Sequence, residues 1–528
     1  MHISTLKNVN NLAKYLLAKS LDCRDQFPQG FCVVFTPIGT MKKSKNIRLV
    51  IATLLSSVAF ITAFALHAEP KMNELPHYDP PFLNADSAWV DSVFQSMTIE
   101  ERIGQLLMVA AYSNKGIEHQ KEIEDLIVNH GIGGLIFMQG GPLRQARLNN
   151  IYQQKAKVPL MMSIDGEWGL AMRLDSTERF PRQMLLGAIQ NDSLIYDMGK
   201  EIGRQCKRIG VHVNFAPVVD VNVNPKNPVI NSRSFGENKY RVASKGVAYM
   251  KGLQDVGIIA NAKHFPGHGD TDTDSHKSLP IVNHSYERID SVELYPFKEL
   301  IRNGASSMMV AHLYIPNLDS TPNRASTLSP KIVNGLLKDS LGFKGLIFTD
   351  ALNMKGVSKY YKKGDVDKLA FMAGNDILLF SGDVPKAISK IKEAIEKGEI
   401  KEEELNDRCR KVLLAKHWLG LADKSPQVDL ENLYEDLNHP AAKAVNHNLV
   451  KHSITVLKND SNLLPLSHNR NRRTASLVIG NKHVNEFQEK LSFYENITHF
   501  NLGKSPSGEQ VINTLAALDT FDLVIIGI

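Results

Sequence analysis

Residues 105–138 read QLLMVAAYSNKGIEHQKEIEDLIVNHGIGGLIFM. The stretch begins with an apolar run, continues with an amphipathic segment that ends in glycine, and finishes with a second apolar run. A glycine directly after an amphipathic segment is typical of a helix C-terminus. Short apolar runs joined by a helix predict parallel strands that are buried on both faces of a sheet. The stretch therefore predicts one β-α-β unit.

The same alternation continues from about residue 88 to residue 420. Six further apolar runs follow the first two: PLMMSID (159–165), NFAPVVD (214–220), IIANAKH (258–264), SSMMVAH (306–312), GLIFTD (345–350) and DILLF (376–380). Eight such runs separated by helical segments predict an α/β fold of the (β/α)8 TIM-barrel type. A doubly wound open sheet stays the alternative, because periodicity alone does not prove that the sheet closes.

The 528-residue chain is long enough for more than one domain. We expect the barrel to occupy residues 69–422, followed by a linker at 423–449 with mixed polar residues. Residues 450–528 then begin a second α/β domain, with buried strands in TASLVIGN (474–481) and FDLVIIGI (521–528). Because the chain stops within the last run, we expect an incomplete α/β sandwich domain from a longer polypeptide.

Residues 1–68 have the pattern of a leader. Met41 begins MKKSKNIR, an uncharged run LVIATLLSSVAFITAFAL follows, and small residues precede HAEP. A basic start, an apolar centre and small residues near a cleavage point are typical of a signal peptide. We therefore expect Met41 to be the true start, and a periplasmic or extracellular location. An uncleaved leader that anchors the protein in the membrane is the alternative.

Charge and cysteine content exclude several classes of protein. The formal net charge is +6, but residues 1–68 hold eight Lys/Arg and only two Asp/Glu, so the remaining chain is balanced. A nucleic-acid partner is therefore not expected. Of the four cysteines, Cys23 and Cys32 lie in the leader, and Cys206 and Cys409 are far apart. This distribution predicts neither a disulfide framework nor a cysteine metal cluster.

Several predicted strands end in ionisable residues. The carboxyl ends of barrel strands open onto one face, where barrel enzymes build their sites. The residues at these ends are Asp165, Asp220, Lys263, His264, His312 and Asp350. We expect them to meet at a common mouth. Helix capping by Asp350 and packing of His312 are the structural alternatives.

The loop that leaves the fifth run reads KHFPGHGDTDTDSHKSLP (263–280). His264 and His268 have a spacing that would suit a metal on a helix, but Pro266 and Gly267 break any such helix. Asp274 and His276 form a different pair, in which a carboxylate can orient an imidazole and support its protonated form. A metal site, a proton-transfer loop and a polar surface loop all remain possible on these residues alone.

Five motifs together resemble glycoside hydrolase family 3, and in particular its β-N-acetylglucosaminidase branch. KHFPGHG followed by DSH is similar to the signature of that branch, and IFTDALNMKG is similar to its nucleophile strand. NPVINSRSFGEN resembles the sugar-binding segment, NFAPVVDV resembles the fourth-strand motif, and KHSITVLKNDSNLLPL resembles the start of the second domain. The motifs cover roughly residues 90–528 in the expected order.

The resemblance implies a role for seven residues. Asp350 would be the nucleophile that attacks the anomeric carbon and forms a covalent glycosyl-enzyme, with net retention of configuration. His276 would be the general acid and then the base, oriented by Asp274. The terminal sugar would be held by Asp165, Arg233, Lys263 and His264. The resemblance implies no cofactor and no metal, and it leaves Asp220 as a supporting residue.

The expected function is that of an exo-acting, retaining β-N-acetylglucosaminidase. It would remove non-reducing terminal N-acetylglucosamine from glycans, with peptidoglycan fragments as the expected source. A phosphorylase of the same glycosides and a β-glucosidase or β-xylosidase of the same family are the alternatives. From other classes, a barrel metallohydrolase using His264, His268, Asp270 and Asp272 and a non-catalytic sugar-binding protein stay open.

One segment departs from the family pattern. DGEWGLAMRL (165–174) keeps an aspartate, a glutamate, a glycine and Arg173, but it has Trp168 and Leu170 where many relatives have glycine and arginine. A tryptophan beside a sugar pocket either stacks on a pyranose ring or closes the barrel mouth. The departure leaves the residue that is accepted beyond the terminal sugar undefined.

Overall fold

The computed structural model describes residues 78–86, 88–273, 278–422, 427–460, 462–467 and 471–527, and the backbone of a short strand, β1 (Val33–Pro37). The signal-peptide pattern and the expected start at Met41 lie outside these ranges. The chain divides into one unit from Leu75 to Ile454 and a second that comprises Thr455–Ile528 and the N-terminal residues. None of the described helices has the length and apolarity needed to cross a membrane.

The first unit is built around a sheet of eight parallel strands that pair in chain order. The strands are β2 (Leu107–Ala111), β3 (Gly134–Phe137), β4 (Met161–Ile164), β5 (Val213–Asn214), β6 (Ile259–Phe265), β7 (Ser307–Val310), β8 (Leu346–Thr349) and β9 (Leu378–Leu379). β9 pairs with β2, and the Thr349 N–H donates to the Ile377 carbonyl at 3.0 Å, which joins β8 to the β9 segment. The predicted barrel is confirmed, and the open-sheet alternative is wrong.

Helices surround this barrel. The α-helices of the first unit are Ala88–Gln95, Ile99–Gly104, Ile117–His130, Pro142–Lys155, Gln183–Leu186, Ser193–Arg208, Lys239–Gln254, Tyr286–Arg288, Leu294–Arg302, Lys355–Ser358, Asp365–Ala373, Val384–Glu396, Glu402–Trp418, Leu433–Leu437 and Pro440–Ser453. Segments with π-type bonding are Ile289–Glu293 and Lys331–Ser340, and short 3-10 turns are Pro81–Asn84, Leu170–Met172, Asn231–Arg233 and Ser326–Leu328. The strand side chains are buried, apart from Ala110 of β2, which is partly buried.

The first β-α-β unit shows how the sequence determines the local fold. The helix Ile117–His130 ends at Gly131, whose φ of 57° lies in the left-handed region that glycine adopts without strain. A side chain at Gly133 would place its Cβ 1.9 Å from the Gln105 carbonyl oxygen. Glycine is therefore required where β3 starts beside the beginning of β2.

The fourth predicted strand is shorter than expected. The regular ladder of β5 covers only Val213–Asn214, whereas the predicted run continued to Asp220. Pro217 has no N–H to donate to a ladder, and the Gln183 side chain takes both backbone bonds of Val218, at 2.7 and 3.1 Å. Asp220 therefore lies on irregular chain beyond the strand, although it still runs beside β6.

The segment expected to be a linker carries two of the helices, Leu433–Leu437 and Pro440–Ser453. Arg208 ties this segment to the barrel, because its guanidinium donates to the carbonyls of Asp429 and Glu431 at 2.6 and 2.7 Å and to the Asp436 carboxylate at 2.7 Å. This part of the chain is thus packed on the outer helix Ser193–Arg208 of the first unit.

The second unit contains a four-stranded sheet in the order β1, β12, β10, β11. β10 (Thr474–Ile479) pairs in parallel with β11 (Ile497–Leu502) and with β12 (Leu523–Gly527), and β1 is antiparallel to β12. The helices Glu486–Leu491 and Gly508–Leu518 connect the parallel strands. The two strands predicted in this region, β10 and β12, are confirmed, and β11 was not predicted.

Candidate active site

The carboxyl ends of the barrel strands bring most of the predicted residues together. Asp165 follows β4, Lys263 and His264 lie within β6, and Asp350 follows β8. Arg233 comes from the helical turn Asn231–Arg233 in the connection after β5. Asp165 is ion-paired to Lys263, and Asp350 is electrostatically coupled to Lys263 and His264. These residues therefore line one site at the mouth of the barrel.

Ion pairs join two carboxylates to three cations in this site. The Lys263 Nζ lies 2.9 Å from Asp165 Oδ1 and 2.9 Å from Glu167 Oε1. Arg233 holds Glu167 with two parallel bonds, from Nε at 2.9 Å and from Nη2 at 2.7 Å. Arg173 donates to the second oxygen of Asp165. Such two-pronged arginine–carboxylate pairs define both the position and the orientation of the groups.

The charges of this network determine its protonation. Burial on its own would raise the pKa of Glu167, but Arg233 and Lys263 outweigh it and lower the pKa to about 2. Burial likewise opposes ionisation of Asp165, and Lys263 and Arg173 hold its pKa below the ordinary value. The Glu167 side chain is only 1% exposed. Both carboxylates are therefore ionised at neutral pH, and they position cations rather than donate protons.

Asp220 fixes the loop that carries His264. The Asp220 carboxylate accepts from the backbone N–H of His268 at 2.7 Å and contacts the Nδ1 of His264 at 2.7 Å. On the other side of the ring, Arg233 Nη2 lies 3.3 Å from His264 Nε2. Because a carboxylate can only accept, the ring nitrogen of His264 that faces Asp220 carries a proton. His264 thus bridges Asp220 and Arg233.

Asp350 has a different environment from the other carboxylates. Its backbone N–H donates to the Val310 carbonyl at 2.9 Å, and its Oδ1 accepts from the Ala351 N–H at 2.7 Å. Burial would raise its pKa, but His312 and His264 hold the pKa below the ordinary value. Among the described residues, no Lys, Arg or His nitrogen lies within 4.0 Å of this carboxylate. Asp350 is therefore ionised, and it has no direct ion-pair partner in the described part of the chain.

His312 supports the backbone beside Asp350. Its Nδ1 lies 2.7 Å from Thr327 Oγ1, and its Nε2 lies 3.0 Å from the Ala351 carbonyl oxygen. The ring is fully buried. The sequence suggested His312 as a residue of the pocket, and the structure places it behind the chain that follows β8, with both ring nitrogens bonded to the protein.

Asp274 and His276 lie outside the described residues, so their roles stay predictions. The residues that precede this pair in the chain are held by side-chain hydrogen bonds. His268 Nδ1 lies 2.7 Å from Thr271 Oγ1, and the Asp270 carboxylate is 2.7 Å from His284 Nε2. A Cβ at Gly269 would lie 1.9 Å from a backbone carbonyl oxygen, so glycine is required there. The loop therefore leaves the barrel from a closely packed base.

The residues of the metallohydrolase alternative do not converge on one point. His268 bonds to Thr271, and Asp270 bonds to His284 instead. Within the described ranges, the one group of three ligand atoms within 4.8 Å of one another is Asp270, His284 and Glu293. Arg288 Nη1 lies 2.7 Å from both oxygens of Glu293, so a cation already neutralises that carboxylate. This arrangement favours a structural ion-pair cluster.

Glu167 is a central residue of the site that the sequence pattern does not identify. The motif DGEWGLAMRL contains this glutamate and Arg173, but the sequence alone implies no role for either. Glu167 is the partner that holds both Arg233 and Lys263. Its position two residues after the strand-end Asp165 was the signal that could have identified it.

Comparisons with known proteins identify the family of the barrel. Residues 98–415 match the family described as "Glycosyl hydrolase family 3 N terminal domain". The chain is similar to "Beta-hexosaminidase A" of Pseudoalteromonas piscicida, with 33% identity over 66% of this chain and 63% of that protein. It is 27% identical to the "Beta-N-acetylglucosaminidase/beta-glucosidase" of Cellulomonas fimi, over 72% of this chain and 68% of that one.

Among solved structures, the chain is similar to a glycoside hydrolase family 3 β-N-acetylglucosaminidase from Paenibacillus sp. str. FPU-7. The TM-score is 0.68 at 29% sequence identity, and the match covers 81% of this chain and 84% of that one. The chain thus spans less than two thirds of the Pseudoalteromonas relative and most of the Paenibacillus structure.

Proposed function

The chain belongs to glycosyl hydrolase family 3, and from this premise we propose that it is an exo-acting, retaining β-N-acetylglucosaminidase. Its substrate is a glycan that ends in non-reducing N-acetylglucosamine. The names of the relatives, hexosaminidase and N-acetylglucosaminidase, support this substrate. The presence of an ordered set of charged groups at the barrel mouth favours an enzyme over a sugar-binding protein that has lost its activity.

The observation that carries the proposal is the contrast between Asp350 and the other carboxylates of the site. Asp165 and Glu167 are ion-paired to Lys263, and Asp220 is bonded to His264. Asp350 is ionised and accepts a backbone hydrogen bond at only one oxygen among the described residues. A carboxylate with a free oxygen at a barrel mouth is suited to attack an anomeric carbon.

The proposed reaction has two steps. Asp350 forms a bond to the anomeric carbon as the bond from that carbon to the leaving oxygen breaks, and His276 gives its proton to that oxygen. Water then attacks the anomeric carbon from the face that the leaving group occupied, the bond from that carbon to Asp350 breaks, and His276 takes up the water proton, so that the configuration is retained. Asp274 would orient His276 through both steps. A histidine suits this work at neutral pH because its ordinary pKa is about 6.5.

The remaining site residues bind the terminal sugar. Lys263 uses two of its three protons on Asp165 and Glu167, which leaves one for a sugar oxygen. Arg233 and His264 complete the wall of the site, and their positions follow from Glu167 and Asp220. We assign the hydroxyls and the N-acetyl group of the sugar to Asp165, Arg233, Lys263 and His264.

We further propose that the protein is secreted to the periplasm or the cell exterior, and that peptidoglycan fragments are its natural substrates. The leader supports the first statement, because it has the charge and hydropathy pattern of a signal peptide. N-terminal sequencing of the protein purified from its own cells tests this. A mature protein that begins upstream of Met41 would refute it.

The decisive experiment is release of p-nitrophenol from its N-acetyl-β-glucosaminide by the full chain. We expect Asp350→Asn to lower kcat at least about a thousandfold, whereas the exposed Asp339, replaced by asparagine, serves as a matched control that keeps full activity. His276→Ala should lose far less activity with a dinitrophenyl leaving group, which needs no proton. Undiminished activity of Asp350→Asn would show that the nucleophile is wrong.

Two further arms of the assay separate the alternatives within the family. Phosphate added to the reaction yields N-acetylglucosamine 1-phosphate if the enzyme is a phosphorylase, and free N-acetylglucosamine if it is a hydrolase. The aryl β-glucoside, compared at equal concentration, identifies a β-glucosidase. Faster turnover of the glucoside than of the N-acetylglucosaminide would overturn the proposed specificity.

A further inference from the structure

The tripeptide Asp165-Gly166-Glu167 carries the two carboxylates that Lys263 joins. Each of them has an oxygen 2.9 Å from the Lys263 Nζ. Because the two side chains leave the backbone on either side of Gly166, this shared contact requires one defined orientation of the peptide groups between them. The sheet ladder does not define that orientation, because β4 ends at Ile164. The tripeptide must therefore be held by other contacts.

The side chains of Asn214 and Tyr249 supply such contacts. The Gly166 N–H donates to Asn214 Oδ1 at 2.9 Å, and Asn214 Nδ2 donates back to the Gly166 carbonyl oxygen at 3.2 Å. The Tyr249 hydroxyl lies 2.9 Å from the same carbonyl oxygen and 3.2 Å from the Glu167 carbonyl oxygen. Asn214 and Tyr249 together form what we call the Gly166 clamp.

Burial makes the Gly166 clamp rigid and keeps it in one protonation state. The side chains of Asn214 and Tyr249 are both fully buried. Burial also raises the pKa of Tyr249 well above its ordinary value, so the hydroxyl keeps its proton and donates at neutral pH. A Cβ at Gly166 would lie 2.9 Å from Asn214 Oδ1, so a larger residue would push the peptide away from the amide. The clamp therefore favours glycine between the two acidic residues.

One connection of the barrel holds Glu167 at both its backbone and its side chain. Asn214 ends β5, and Tyr249 lies on the helix Lys239–Gln254, which leads to β6. Arg233, whose guanidinium holds the Glu167 carboxylate, lies between them in the chain. The connection from β5 to β6 thus contacts the Glu167 backbone through Tyr249 and the Glu167 carboxylate through Arg233.

We propose that the Gly166 clamp positions the two carboxylates of this tripeptide, and through them the Lys263 and Arg233 donors that bind the terminal sugar. Both clamp residues are positioning residues, because they are fully buried and act through the carboxylates. The inference rests on the proposed glycosidase function. The described hydrogen bonds of the nucleophile Asp350 go to other residues. Loss of the clamp should therefore weaken sugar binding more than it slows the chemical step.

The test removes only the hydroxyl of the clamp, in Tyr249→Phe. Calorimetry with N-acetylglucosamine on the full chain gives Kd, and cleavage of the p-nitrophenyl N-acetyl-β-glucosaminide gives KM and kcat. We expect Kd and KM to rise about tenfold, as for the loss of one buried hydrogen bond, while kcat stays within about threefold. The matched control is Tyr152→Phe, which should change neither constant. Tyr152 is equally buried, and its hydroxyl has no hydrogen-bond partner in the described part of the chain.

Two further variants separate positioning from a general loss of structure, with urea unfolding to establish that each protein is folded. In a Glu167→Gln background, Tyr249→Phe should raise Kd by only about twofold or less, because the tyrosine acts through Glu167. Gly166→Ala, whose Cβ would displace the Asn214 amide, should raise Kd and KM as Tyr249→Phe does. An unchanged Kd in folded Tyr249→Phe, a fall in kcat without a rise in KM, or an equal loss of affinity in the Glu167→Gln background would overturn the inference.

Calorimetry separates this inference from the proposed function, because binding of N-acetylglucosamine requires no cleavage. If the native protein cleaves the glycoside and Tyr249→Phe binds the sugar as tightly as the native protein does, the function stands and the positioning role fails. If Tyr249→Phe weakens sugar binding but the native protein cleaves no N-acetyl-β-glucosaminide, the positioning role stands and the proposed function fails. A native protein that neither binds the sugar nor cleaves the glycoside would overturn both.

Discussion

Glutamine in place of Glu167 tests the charge network of the site most directly. The substitution keeps the size of the side chain but removes the charge that holds Arg233 and Lys263. The pKa of Glu167 is about 2, against an ordinary value of 4.5. This difference corresponds to roughly 3 kcal/mol of stability at neutral pH. Removing one partner of a buried ion pair costs about the same, because the cations stay behind unpaired.

Urea unfolding followed by tryptophan fluorescence measures this loss in the barrel unit alone. The three tryptophans of the chain, Trp89, Trp168 and Trp418, all lie in the first unit. Because the pKa of Glu167 is depressed in the folded protein, its contribution is complete above pH 4.5 and is lost as the pH falls towards 2. The gap in unfolding free energy between the native protein and Glu167→Gln should therefore shrink over this pH range.

Glu393 supplies the matched control. Its pKa is also lowered to about 2, first through the hydrogen bond from Lys397 and then through Lys390. Its side chain is 42% exposed, however, and solvent screens such pairs. We expect no measurable change in Glu393→Gln. A loss of less than about 1 kcal/mol in Glu167→Gln at pH 7, or an equal loss at pH 2 and pH 7, would refute the reasoning.

Three further predictions concern other residues. Asp220→Asn should lower kcat roughly a hundredfold or more in steady-state assays, because the new NH2 group can only donate and would face the Nδ1–H of His264. An unchanged kcat would contradict this prediction. Gly269→Ala should lower kcat about tenfold by displacing the loop, whereas Gly116→Ala, with open space around it, should not. Burial raises the pKa of Asp367 to about 6, against an ordinary value of 3.8. In thermal melts, Asp367→Asn should therefore stabilise the protein by about 3 kcal/mol at pH 8 and by less than about 1 kcal/mol at pH 4.

The barrel could be predicted because its strands are buried on both faces and therefore appear as uninterrupted apolar runs. The same criterion failed where a strand is only half buried. β11 (Ile497–Leu502) buries its two end residues and leaves the middle partly exposed, so no apolar run marks it. The short ladder of β5 was also beyond sequence reasoning, because it depends on the distant side chain of Gln183.

The site was predictable to the extent that it depends on strand ends. Asp165, Lys263 and Asp350 could be placed together because parallel strands share one open end. The role of Glu167 could not be read in this way, since it depends on Arg233, which lies 66 residues further along the chain. Pairings across such distances are properties of the folded chain rather than of any local pattern.

The described groups of the site also restrict where the catalytic proton comes from. The two ion-paired carboxylates stay ionised, and Lys263 and Arg233 are their partners. His264 and His312 have both ring nitrogens engaged by protein partners. Asp350 is ionised and acts as the nucleophile in the proposed reaction. None of these groups is a proton donor to the leaving oxygen in the proposed reaction, so the assignment of that role to His276 stays a prediction that rests on the family resemblance.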